Sequence, residues 1–268
     1  MLDIEQTSLP ANPLLASLKM PGRVFPLPSA GLFYTNGELS PDVVKGEVQV
    51  FPMSGLAEMK FRSPDLLYSG KAVTEVIREC IPSILKPEKI ISKDIDTLLS
   101  YIKIVTYGET LEISTKHTCD NAKEHSYAID LEKIVSSTKY LTKDLFDMVF
   151  SIKLSNGQEV KLNPLSWENA IELMQMSSME KINNEDIDTL YASNILGMIH
   201  SIDGIIDRKL IMEWVRVAPA PFTKEIQKSV NKGLENWGTD FSSEVTCQDC
   251  HKKFTINIDL NPSSFFSQ

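Results

Sequence analysis

Long apolar runs are missing from this chain. No window of eighteen residues is uniformly apolar, so no membrane-spanning helix is expected. Cysteine is scarce: Cys80, Cys119, Cys247 and Cys250 in 268 residues are too few and too scattered for a disulfide framework. A reduced, cytoplasmic setting fits them better, with metal binding the chemistry to look for. A basic excess is lacking too. Lys and Arg number 27 against 36 Asp and Glu, a net charge of −9, and neutralising phosphates needs a basic face, so a general nucleic-acid binder is not expected. The opening Met1-Leu2-Asp3-Ile4-Glu5 is acidic where a secretory signal is basic, so export is not expected either. Absent as well are a Gly-x-Ser-x-Gly elbow, a Walker phosphate loop, a His-Glu-x-x-His pair and a Gly-x-Gly-x-x-Gly fingerprint. Cys80 follows the apolar face of Val73, Val76 and Ile77 and reads as a core thiol. His200 reads as a helix-flank residue. The candidate catalytic set is empty, and the chain is not expected to be an enzyme.

What is present is an ordinary globular composition, 42% apolar and 24% charged with both signs mixed, which argues against a largely disordered protein. Residues 1–22 hold three prolines without a sustained period and read as an extended arm. Gly46–Phe51 alternates as a strand, and Pro52-Met53-Ser54 leads into a helix near 54–61. Phe150–Leu154 and Glu159–Leu162 alternate across Asn156-Gly157, a pair suited to the positive φ angles of a tight hairpin turn. Ser166 is placed to cap a helix beginning at Trp167. Helices are expected over Ala72–Cys80, Asp94–Val105, Asp186–Ile199, Arg208–Val217 and Pro221–Trp237.

Two segments echo two others. Glu47–Ser54 matches Glu159–Ser166 in its strand pattern and Pro-x-Ser exit. Thr118-Cys119 followed by Ile129-Asp130-Leu131 matches Thr246-Cys247 followed by Ile258-Asp259-Leu260. The economical reading is a diverged duplication. It gives an α+β fold of two similar modules, 23–136 and 137–268, each with a small antiparallel sheet, a helical middle and a cysteine-tipped hairpin resembling a diverged zinc knuckle.

Cys247-Gln248-Asp249-Cys250 lies between strand-like runs, where two thiolates three residues apart can face one ion. Tetrahedral zinc then needs two more donors. His117-x-Cys119 offers a half-site, with His125 and His251 as spare imidazoles. A site of Cys119, Cys247, Cys250 and one histidine, His117 first among them, would hold one structural zinc and clip the hairpins together. The alternative is a relict knuckle with free thiols. A thioredoxin-like role fits poorly, because that chemistry wants the pair at a helix N-terminus.

Two apolar segments suggest partner binding. Phe265-Phe266 near the end of the chain either tucks into the protein's own groove or meets a partner. The run Phe25–Tyr34, with Phe25 and Leu27, lies along a neighbour or covers its own sheet.

These pieces form an ordered pattern. Phe25-Pro26-Leu27-Pro28-Ser29-x-Gly31, Val50-Phe51-Pro52-Met53, Ile77-x-x-Cys80-Ile81 and Asp94-x-x-x-Leu98-x-x-x-Ile102-Lys103 running to Tyr107-Gly108-Glu109 come first. The cysteine hairpins ending in Ile-Asp-Leu and the closing Phe265-Phe266 follow. Together they resemble the baseplate hub subunits and hub-assembly chaperones of T-even-type contractile-tailed phages, over about residues 23–266. The family's first hairpin carries its own Cys-x-x-Cys; here Asp120, Asn121 and Ala122 follow Cys119, so only Cys119, Cys247 and Cys250 carry over. The resemblance implies a non-enzymatic protein of tail morphogenesis, partnered by other hub and tail proteins. It would act in the cytoplasm of an infected host during assembly or in the virion's baseplate. No nucleic-acid, membrane or small-molecule partner is expected. A zinc-ribbon adaptor acting on nucleic acid or transcription machinery is the alternative reading.

Overall fold

The structure, a computed structural model, describes residues 20–119, 123–177 and 184–266; most of the expected arm, residues 1–19, lies outside them. Strand β1 (Arg23–Pro26) pairs antiparallel with β2 (Glu47–Val50), Arg23 opposite Val50. The alternation in β2 does what period 2 requires: Val48 and Val50 face inward, Glu47 and Gln49 outward. Three short helices follow, α1 (Gly55–Lys60), α2 (Pro64–Tyr68) and α3 (Lys71–Cys80). The Oγ of Ser54 accepts from the Ala57 N–H at 3.1 Å and caps α1. A 3₁₀ turn at Pro87–Lys89 precedes α4 (Ser92–Tyr107), whose buried residues run from Asp94 to Ile104 on nearly every face. A helix buried all round belongs at the centre of a molecule, and that is where α4 sits.

The hairpin of β3 (Thr110–Lys116) and β4 (Glu124–Asp130) leads into α5 (Leu131–Ser136), with Asp130 as cap. Then come α6 (Lys143–Val149), β5 (Ser151–Lys153), β6 (Glu159–Leu162), α7 (Trp167–Ser177) and α8 (Asn184–Met198). Strand β7 (Ile199–Ile202) lies beside β6 and completes an antiparallel sheet in the order β5-β6-β7. Helices α9 (Arg208–Val217) and α10 (Ala220–Leu234), the hairpin of β8 (Ser242–Thr246) and β9 (Lys253–Asn257), and α11 (Pro262–Phe265) end the described chain. The fold is α+β, helices with small antiparallel sheets, as expected.

Two details of the turns differ from expectation. At Asn156-Gly157 only Gly157 has positive φ (93°). Its N–H bonds back to the Leu154 carbonyl at 2.8 Å, so the connection is longer than a two-residue turn. The two-residue turn is at Asp203-Gly204, with φ of 47° and 80° and Ile202 and Ile205 exchanging backbone bonds of 2.8 and 3.1 Å. Asp-Gly is suited to such a turn.

Among the described residues, buried side chains form two clusters. One gathers residues of 25–135 together with Ile256, Ile258, Phe265 and Phe266. The other gathers Phe33, Ile91 and residues between Leu141 and Trp237. The last hairpin thus returns to the first cluster. Helix α4 touches both sides. Thr97 meets Thr239 at 2.8 Å, Thr239 meets Thr138 at 2.7 Å, and Lys93 donates to the Leu234 carbonyl.

The four residues expected to meet partners are interior. Phe25 and Leu27 are 7% and 0% exposed, Phe265 and Phe266 2% and 3%. Phe25 stacks on Tyr101 with centroids 4.2 Å apart, and Phe266 on Phe61 at 4.7 Å. The structure takes the self-packing alternative in both cases. Leaving aromatics of about 150–250 Å² in water is unfavourable when a groove lies within reach. The Pro-rich run does not continue as an extended segment. After β1 it turns back, with the Ser29 N–H and Oγ donating to Asp94 on α4 at 3.0 and 2.5 Å and the Tyr34 hydroxyl at 2.6 Å.

Candidate metal centre

The tips of the two cysteine hairpins meet. Cys119 follows β3, and Cys247 and Cys250 occupy the turn between β8 and β9. That turn is closed locally: the Cys247 N–H donates to the Lys252 carbonyl at 2.9 Å, and the His251 N–H to the Cys247 carbonyl at 3.0 Å. His251 adopts a left-handed φ of 58°, the bend that brings both thiols to one side.

Four donors converge: the ring nitrogen of His117 and the sulfurs of Cys119, Cys247 and Cys250 all lie within 4.8 Å of one another. Cys119 Sγ and Cys247 Sγ are 4.0 Å apart, and Cys250 Sγ is 3.4 Å from His117 Nδ1. A tetrahedral zinc with bonds of about 2.3 Å to sulfur and about 2.0 Å to nitrogen spaces its donors about 3.8 Å (S to S) and about 3.5 Å (S to N). The two distances of 4.0 and 3.4 Å lie close to those edges. Among the candidate imidazoles, His117 is the one brought to the thiols. Its ring lies on Phe254 with centroids 4.6 Å apart, which fixes the ring plane from the opposite hairpin. The backbone N–H groups of Cys250 and Asp249 are directed at the Cys247 sulfur and pull its thiol below the usual range. Desolvation and the neighbouring thiols push Cys119 the other way.

The spare histidines have other places. His125 Nε2 lies 3.0 Å from Asp249 Oδ2, which also accepts from the Lys123 N–H at 2.9 Å. His251 is exposed. Asp249, sitting between the two cysteines, thus holds the first hairpin, and Gln248 Nε2 donates to the Ser126 carbonyl at 3.3 Å beside it. This polar clasp is not among the expectations drawn from the sequence. The signal was the pair of hydrogen-bonding residues inside Cys-x-x-Cys, which zinc ligation does not itself require.

Among the described residues, no such donor group surrounds His200 or Cys80. Burial pushes the Cys80 thiol up to about 12, so it stays protonated and inert. His200 lines a cavity of about 470 Å³ with Tyr34, Glu38, Lys89 and Arg208. The cations there already serve the fold: Arg208 donates to the Ile199 carbonyl at 2.6 Å, and Lys89 pairs with Glu168.

Near the end of the chain a second unusual group appears. Lys103 of α4 is 2% exposed. Its Nζ donates to the Phe265 carbonyl at 2.8 Å and lies 4.9, 5.7 and 6.0 Å from the ring centroids of Tyr107, Phe265 and Phe266. The Phe-Phe pair is a lid on a buried ammonium.

The sequence profile of a family described as T4 bacteriophage base plate protein matches residues 59–267. No curated protein and no solved structure matches the chain.

Proposed function

Because the chain belongs to the T4 bacteriophage base plate protein family, we propose that it helps build the central hub of the baseplate by protein–protein recognition, without catalysis, and that its thiol–imidazole cluster holds one structural zinc. Family membership makes it a baseplate structural protein with other tail proteins as partners. The observation that carries the finer reading is the donor set. Three sulfurs and one imidazole would complete the coordination of a tetrahedral ion and leave no position for a substrate. Such an ion contributes folding energy and fixes shape. It would join strands more than a hundred residues apart in sequence, which suits a part whose task is to present a rigid surface.

Elemental analysis of reduced protein tests the zinc, with about one ion per chain expected and a value near zero refuting it. Native mass spectrometry of the protein co-expressed with hub subunits tests the role. Stable heteromeric complexes are expected; free monomer at every salt concentration would refute it.

A further inference from the structure

We infer that the four-donor cluster is a latch for the carboxy-terminal segment: with the ion bound, residues 242–266 are seated on the first core, and with the ion removed that segment lifts while the second core stays folded. This rests on the zinc reading above and goes beyond it by naming what the ion controls.

The segment is foreign to the core it covers. Ile256, Ile258, Phe265 and Phe266 are buried with residues of 25–135, and Phe241, Val245, Phe254 and Leu260 pack against the same cluster. It is fastened at distinct points. At its root Gly238 and Lys139 exchange backbone bonds of 2.7 and 3.1 Å. At the hairpin tip stand the metal donors, with Asp249 and Gln248 beside them. At the far end Phe265 and Phe266 close over Lys103.

The far end is the weak fastening. Seating it takes the Lys103 ammonium out of water in exchange for one backbone carbonyl and three ring faces, and burial pulls the pKa of Lys103 down. A desolvated charge is tolerated while neighbouring contacts enforce it. The tip supplies that enforcement. Two of the four donors, His117 and Cys119, belong to the first hairpin, and two, Cys247 and Cys250, to the segment itself. Without an ion, the tip keeps the exposed hydrogen bonds of Asp249 and Gln248 and the ring contact between His117 and Phe254. The second core has its own buried cluster between Leu141 and Trp237 and shares none of the donors.

Hydrogen exchange on the full-length protein, with and without a strong zinc chelator, tests the latch. Amides of β9 and α11 are expected to exchange at least about tenfold faster after chelation, while those of α9 and α10 keep their rates. Cys119→Ser, which leaves the segment's own sequence intact, should reproduce the pattern without chelator, and added zinc should restore protection only in the unmutated chain. Zinc bound at about one per chain with β9 and α11 still protected after chelation overturns the latch and leaves the zinc reading standing. Equal acceleration throughout the chain also overturns it, because the ion would then hold the whole fold. Absence of zinc from the purified protein removes both.

Discussion

At Gly46 the backbone has φ of +74°, and a Cβ there would lie 2.6 Å from the carbonyl carbon of Ala30. Both the conformation and the space demand glycine. Gly46→Ala should destabilise the protein by about 2–4 kcal/mol, the combined cost of a left-handed alanine and an overpacked contact. Gly55→Ala is the control. A Cβ there meets nothing within 4 Å at the start of α1, so a change of no more than about 1 kcal/mol, in the stabilising direction, is expected in chemical denaturation. Asp94 sets a second prediction. Burial pushes its carboxyl up to about 6 even though Ser29 and Tyr34 donate to it. The folded state therefore holds a proton that the unfolded chain releases near pH 4. The stability this confers is fully present below that pH and is lost as pH rises through about 6. Asp94→Asn has no such term. Between pH 7 and pH 4 the unmutated protein should gain on the variant by up to about 3 kcal/mol in denaturant midpoints converted to free energy. A constant difference across that range would refute the shift.

The elements carry the metal prediction. His117→Ala and Cys250→Ser should each abolish stoichiometric zinc, while Cys80→Ala, altering a thiol buried away from the cluster, should leave zinc content unchanged. Retention of zinc by His117→Ala would move the fourth donor elsewhere. At this scale the sequence is most readable where one period dominates. The alternation of Val48 and Val50, the caps at Ser54 and Ser166 and the span of α9 follow from local chemistry, and so does a thiol pair between strands. Long-range partners are another matter. Asp94 and Ser29 are both visible as sequence motifs, but their bond joins residues 65 apart, and nothing local announces it. Strand β7 was hidden for a different reason. Ile199 continues the apolar pattern of α8, so the helix reads on into it, although Asp203-Gly204 marked a hairpin turn. The aromatic pair Phe265-Phe266 is ambiguous in principle, because hydrophobicity measures the gain from burial and says nothing of whose groove receives it.

For the molecule as a whole, truncating the aromatic lid tests how the first core is closed. Phe266 is 3% exposed and stacks on Phe61, so Phe266→Ala should cost about 3–5 kcal/mol in thermal or chemical denaturation. A loss under about 1 kcal/mol would show that the ring is not part of the core. The return of the final hairpin to the first core also has a meaning for synthesis. Ribosomes deliver residues in order, so β1 through α5 emerge long before Ile256, Ile258 and the aromatic pair that finish their packing. Until Phe266 has emerged, the nascent chain carries an incomplete apolar surface with the Lys103 site open. A product released anywhere before Phe265 has the same defect permanently, because the aromatic pair that covers Lys103 is missing from it.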